Sequence, residues 1–216
     1  MIFNLSDKNS IANQFIAELR DVEIQKDRMR FRKNVERLGE IFAYEISKTL
    51  QFEDRDHETP LGSATISLPT DRIVIASILR AGLPMHYGIL NSFDSADNAF
   101  ISAYRKHHKD GTFEINLEYV TCPNLNDCVL ILTDPMLATG SSFQAALKAL
   151  EQYGKPRAIH VVTIVASTYG VSFMQRVFPR ANLWVGAIDE ELTAKSYIVP
   201  GLGDAGDLSF GAKLQD

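Results

Sequence analysis

Short apolar runs that stay apolar on consecutive positions set the strongest limit on what this chain can fold into. They occur at Ile73 to Ile78, Ala99 to Tyr104, Cys128 to Thr133, Ile159 to Ala166 and Leu183 to Ala187, and they are rich in β-branched residues. A strand with one wet face alternates apolar and polar side chains, so a run without alternation predicts a strand covered on both faces. Most of the gaps between the runs hold a helical stretch, as from Phe143 to Gln152. Buried strands alternating with helices predict an α/β chain with a parallel central sheet flanked by helices.

Other stretches have different periods. From Arg28 to Leu50, the residues Phe31, Val35, Leu38, Phe42, Ile46 and Leu50 recur every three or four positions, which is one face of a helix. A shorter helix is expected near Ile11 to Leu19. Between Gln51 and Thr70 the pattern dissolves into charges, Gly62 and two prolines, which predicts a loop or short hairpin. Phe113, Ile115, Leu117 and Tyr119 alternate with polar partners, so Gly111 to Val120 reads as part of an antiparallel flap. The 216 residues, 45% hydrophobic and 23% charged, suit a single domain over 1–216. Its first 25 or so residues read as a helical extension, and about 190–216 as a C-terminal loop.

A net charge of -5 and a pI near 5.6 argue against a protein that holds nucleic acid through its phosphates. Residues MIFNLSDKNS lack the basic start and apolar core of a secretory signal. The longest apolar runs, such as Ala158 to Ala166, fall far short of the ~20 residues that span a bilayer. The expectation is a soluble, cytoplasmic protein without a membrane partner. Cys122 and Cys128 have neither zinc nor redox spacing and read as reduced thiols.

Open parallel sheets bind ligands at the carboxyl ends of their strands, so the loops after Ile78, Tyr104 and Thr133 matter most. The last of these follows the run Val129 to Thr133 and reads Asp134-Pro135-Met136-Leu137-Ala138-Thr139-Gly140-Ser141-Ser142. A helix N-terminus flanked by hydroxyls can wrap a phosphate with free N–H groups and the positive end of its dipole. Capping alone would also explain the pattern, since Ser141 followed by Gln144 is a capping box. A second segment, Ser77-Ile-Leu-Arg80-Ala-Gly82-Leu-Pro84, holds an arginine where it could fork onto a pyrophosphate. The third, Tyr197 to Asp207, contains G-x-G-x-x-G by letter. A dinucleotide site is rejected, because that fingerprint needs a following helix and a βαβ unit.

Together these segments resemble the uracil phosphoribosyltransferases, from about Lys26 to Gly211 and in family order. The form Asp-Pro-Met-Leu-Ala-Thr-Gly resembles their binding motif for phosphoribosyl pyrophosphate (PRPP). Ile-Leu-Arg-Ala-Gly and Tyr104-Arg105 resemble the loops carrying its cationic contacts, and the glycine-rich tail resembles their uracil loop. The resemblance implies a type I phosphoribosyltransferase fold with a flap hairpin and a C-terminal hood, joining uracil and PRPP to give UMP and pyrophosphate. It implies that Arg80, Arg105, Asp204 and residues 134–142 contact PRPP. Ile198, Gly203, Asp204 and Ala205 would then meet uracil, with backbone groups reading its edge. Arg80, Arg105 and Asp204 are the catalytic candidates, with Asp204 left open between proton acceptor and positioning group.

Two departures stand out. Most of the superfamily carries paired acids where this chain has Asp134-Pro135, which leaves Mg²⁺ to be held mainly by PRPP and water instead of a dedicated metal site. Ser141 stands where the uracil enzymes often have Gly. A homodimer is expected from the family and from the apolar face between Phe31 and Leu50, while a GTP effector, known for some relatives, is left open by the residues. The competing reading from another class is a pyrimidine-responsive RNA-binding regulator on the same fold. That family usually keeps the paired acids and lacks this tail.

Overall fold

The computed structural model describes residues 1–107 and 113–213, with the side chains of 103–116 outside that description. It opens with strand β1 (Ile2–Asn4), helices α1 (Ile11–Arg20) and α2 (Arg28–Ser47), and the hairpin β2 (Phe52–Thr59) and β3 (Gly62–Pro69). Then come β4 (Ile73–Leu79), α3 (Leu83–Leu90), β5 (Asp97–His107), β6 (Phe113–Thr121), β7 (Val129–Thr133), β8 (Met136–Leu137) and α4 (Ser141–Leu150). The rest is β9 (Ala158–Ser167), α5 (Thr168–Val177), β10 (Asn182–Asp189), β11 (Glu191–Leu192), β12 (Ile198–Val199) and α6 (Ala205–Phe210).

The sheet order is β1-β10-β9-β7-β4-β5-β6, with β8 also paired to β9. Every pairing in it is parallel except β5 with β6, the flap, whose register shifts between Ser102 and Ala103. Consecutive residues of each central strand feed opposite cores. Ile73, Ile75, Val129, Ile131, Val162 and Ile164 join the cluster containing α1, α2 and α3 residues. Val74, Ala76, Leu130, Leu132 and Val161 join the cluster containing α4 and α5 residues. Double-sided burial therefore accounts for the unbroken apolar runs, at about 1.5–3 kcal/mol for each large aliphatic side chain taken from water.

Several details differ from the sequence expectations. The N-terminal extension is not purely helical, because β1 adds an edge strand to β10 and Phe3 stacks on Trp184 at 4.0 Å between ring centroids. The stretch after Leu50 is a full hairpin of eight residues a side, with β2 exposed throughout. The apolar face of α2 gives no argument for a dimer. Phe31, Val35, Leu38, Phe42 and Ile46 are all spent on the chain's own core. The basic residues nearby are likewise engaged within the chain, Arg30 with Glu18, Lys33 with Glu36 and Arg37 with Asn34. Among the described residues no helix is long and apolar enough to cross a membrane.

One buried polar pair makes stability depend on pH. His160 Nδ1 accepts from Trp184 Nε1 at 2.9 Å, and burial, aided by Arg157 and opposed by Asp71, pushes the His160 pKa down to about 4. Above pH 6.5 the imidazole is neutral folded or unfolded and contributes nothing to the pH dependence. As pH falls toward 4 only the unfolded chain takes up the proton, so stability drops by about 3 kcal/mol across that window. His160→Gln keeps an acceptor for the indole and is expected to flatten this part of the acid limb. Urea midpoints from pH 7 to 4.5 for both proteins check it, and parallel curves would show that His160 does not titrate in this way.

Candidate active site

The carboxyl ends of β4, β5 and β7 lie side by side, because Ser77 pairs with both Phe100 and Thr133. Their loops therefore share one edge of the sheet. Beyond β7 the backbone of the turn is tied down carbonyl by carbonyl. Pro135 O accepts from Ile164 N and Val165 N, each at 3.0 Å, and Ala138 O accepts from Ser167 Oγ at 2.6 Å. Ser167 also caps α5 by accepting from Gly170 N at 2.9 Å, so a single hydroxyl fixes both the turn and the helix behind it.

The turn ends at Gly140, not at a capping serine. Gly140 is the N-cap of α4 with φ 84, and a Cβ there would lie 2.5 Å from Phe173 Cδ1. Left-handed backbone and contact with a ring both call for glycine at this point. Ser141 is the first residue of the helix, so the Ser141/Gln144 capping box does not form. Thr139 Oγ1 lies 2.9 Å from Ser141 Oγ and accepts from Ser141 N at 3.4 Å. The α4 N-terminus has no side-chain cap at its N-cap residue, and two linked hydroxyls stand beside it. Such a terminus favours an anion. Asp134 stands at the entrance, with its Oδ1 accepting from Met136 N at 3.4 Å.

Arg80 follows the cis Leu79-Arg80 peptide at the end of β4. It reaches toward the C-terminal segment, where its Nη2 donates to Asp207 Oδ1 at 3.1 Å and Gly211 O at 3.2 Å. Arg105 lies on β5 opposite Ile115 in the flap. Its side chain is outside the described part.

The tail is a small hood. Strands β11 and β12 pair antiparallel, and Ile198 is buried. Gly203 has φ 92, and α6 begins at Ala205. A helix thus does follow the G-x-G-x-x-G letters, which the sequence reading did not expect. It is six residues long, and no βαβ unit is built on it among the described residues, so the dinucleotide reading still fails. Asp204 is the N-cap of α6. Its Oδ1 accepts from Asp207 N at 3.0 Å and its Oδ2 from Lys213 Nζ at 3.3 Å. Partial burial raises its pKa, but the Asp207 N–H and the charge of Lys213 outweigh that, and the carboxyl is held below the usual range.

Residues that no local pattern singled out hold the hood in place. Arg32 Nη1 donates to Ser209 O at 2.7 Å, and the Gln25 amide nitrogen, in the orientation that satisfies both its ends, donates to Leu202 O at 2.8 Å. A cavity of about 350 Å³ lies at this corner, lined in part by Arg28, Gly203, Asp204 and Leu208.

A mostly parallel sheet with a helix-opening turn at its carboxyl edge and a C-terminal hood fits the type I phosphoribosyltransferase fold. The solved adenine phosphoribosyltransferase of Trypanosoma brucei, in complex with AMP, pyrophosphate and ribose-5-phosphate, shares this fold. Its TM-score is 0.54 at 13% identity, over 90% of this chain and 87% of that one. The AQ2163 protein of Aquifex aeolicus matches with a TM-score of 0.88 and 28% identity over the whole of both chains. The uracil phosphoribosyltransferase family profile matches residues 6–212. A uracil phosphoribosyltransferase of Porphyromonas gingivalis is 51% identical over 99% of both chains, and one of Thermococcus gammatolerans is 38% identical over 94% of this chain and 90% of its own. This chain belongs to the uracil phosphoribosyltransferase family.

Proposed function

We infer that this protein joins uracil to PRPP, forming UMP and pyrophosphate and returning free uracil to the nucleotide pool. The observation that carries this reading is the 51% identity to a uracil phosphoribosyltransferase along essentially the whole chain. The matched family is that of the transferase, not of the RNA-binding regulator. In the reaction, the bond from the anomeric carbon to the pyrophosphate oxygen breaks, the bond from that carbon to uracil N1 forms, and N1 loses its proton. Residues 134–142 hold the 5-phosphate and ribose, with Asp134 toward the ribose hydroxyls and the α4 N-terminus toward the phosphate. Arg80 and Arg105 face the departing pyrophosphate, and Ile198, Gly203 and Ala205 present backbone groups to the base. No covalent intermediate is required, because alignment and charge neutralisation suffice.

Arg80 spends Nη2 on Asp207 and Gly211 of the hood, so the guanidinium proposed for pyrophosphate is also tied to the hood. Asp204 is better suited to positioning than to proton transfer. A carboxylate held below its ordinary range and already capping a helix is a weak acceptor. The donor set at the turn, one carboxylate and hydroxyls, suits Mg²⁺ carried by PRPP oxygens and water, and the ion supplies charge neutralisation when bound. Cytoplasmic residence, a homodimeric state and a GTP effector rest on the family likeness alone.

Incubation with PRPP, Mg²⁺ and each free base in turn tests the function. UMP from uracil is the expected product, and nucleotide formed from a purine or orotate in its place would overturn the reading. Arg105→Ala is expected to raise the KM for PRPP by roughly tenfold or more while moving that for uracil little, through loss of a charged contact. An unchanged KM for PRPP would remove Arg105 from the site.

A further inference from the structure

Arg20 closes α1 and Asp189 closes β10, far in sequence from each other and outside the phosphate turn and the arginine loop. Arg20 Nη1 donates to Asp189 Oδ2 at 2.8 Å and Nη2 to Oδ1 at 2.9 Å, a two-pronged fork. The Asp189 side chain is 8% exposed and that of Arg20 22%. Both partners spend a further bond on the same residue. Gly201 N donates to Asp189 Oδ2 at 2.8 Å, and Arg20 Nη1 donates to Gly201 O at 3.2 Å. The backbone of Gly201 is therefore gripped through its N–H and its carbonyl by opposite members of one ion pair. Gly201 lies between Ile198 and Gly203, two positions assigned above to the pyrimidine edge.

We propose that Arg20 and Asp189 are positioning residues that set the register of the base loop, so that α1 governs how uracil is held far more than how PRPP is. The proposal rests on the reading of residues 198–205 as the uracil loop. A sheared base loop no longer presents its backbone groups at hydrogen-bonding distance, whereas the phosphate turn is fixed by β9 and α5 and does not feel Gly201. An apolar contact would join α1 to β10 equally well, and Ile16 is already buried beside Gly186 of β10. A buried ion pair is weak evidence for stability in itself, and here its geometry is spent on one loop residue.

The test uses the full chain carrying Arg20→Gln with Asp189→Asn, which replaces the ion pair by two amides and leaves no lone buried charge. The KM for uracil is expected to rise roughly tenfold or more, with a several-fold smaller rise in the KM for PRPP. Melting temperatures are recorded beside the kinetics, and the assays are run at a temperature at which both the parent protein and the double variant are folded. Gly203→Val, inside the loop itself, is measured in parallel. If Gly203→Val impairs uracil use and the Arg20/Asp189 variant does not, or if that variant raises both KM values alike, the positioning role is overturned and the loop reading stands. If Gly203→Val also leaves uracil use intact, the loop reading is wrong and the proposal falls with it.

Discussion

Asp204→Asn is expected to cut turnover of uracil by about 10²-fold, with the same factor for 5-fluorouracil. Asparagine caps a helix as well as aspartate does, so α6 should persist and the melting temperature should change little. The change removes the negative charge, and with it the ion pair to Lys213. If Asp204 took the proton from N1, the more acidic 5-fluorouracil would suffer less than uracil. The depressed pKa of the carboxyl and its use as a helix cap favour equal losses. A smaller loss for 5-fluorouracil would restore the base role, and no loss for either would remove Asp204 from the mechanism.

Gly203→Val is expected to reduce kcat/KM for uracil by more than 10²-fold while binding of PRPP persists. The position has φ 92, and the nearest atom to a Cβ there is Leu208 Cδ1 at 3.6 Å. The obstacle is therefore conformational, not steric. A β-branched residue at positive φ costs roughly 1–3 kcal/mol, and the loop can shed that strain by moving without disturbing the core. Calorimetric titration with PRPP and Mg²⁺, set beside uracil kinetics, separates the two halves of the site. Loss of PRPP binding together with uracil use would mean that the hood and turn are one unit, and normal turnover would end the backbone-reading account.

Much of the sheet was legible because burial on both faces leaves an unbroken apolar run, a signal local to each strand. The place of the turn at Asp134 to Ser142, between a buried strand and a helix, was legible because its residues are contiguous. Its detail was not. The letters Ser141 to Gln144 spell a capping box, yet Gly140 takes the N-cap because its left-handed backbone and the Phe173 ring leave no room for a side chain. Strand β1 is too short to show a period, and it exists because β10 offers an open edge. Arg20, Gln25, Arg32 and Asp189 were missed for a different reason. Each is one polar residue in an ordinary helix or strand end, and its role appears only when distant segments meet. The apolar face of α2 was seen but misassigned to a partner, since periodicity reveals a face and not what covers it.

The two ends of the site differ in how much chain must be in place before they can form. The phosphate turn is tied by contacts such as Ser167 to Ala138, which span 29 residues. The hood is tied by Arg20 to Gly201 across 181 residues and by Arg32 to Ser209 across 177. Contacts of such long sequence separation form late, because the closure entropy falls due before any contact rewards it. In a chain emerging from its N-terminus, the residues of α1 and α2 are made long before the segment they are to hold. The ties of the base end therefore close only when residues 198–211 meet segments made at the start of the chain, whereas those of the phosphate end close between neighbours.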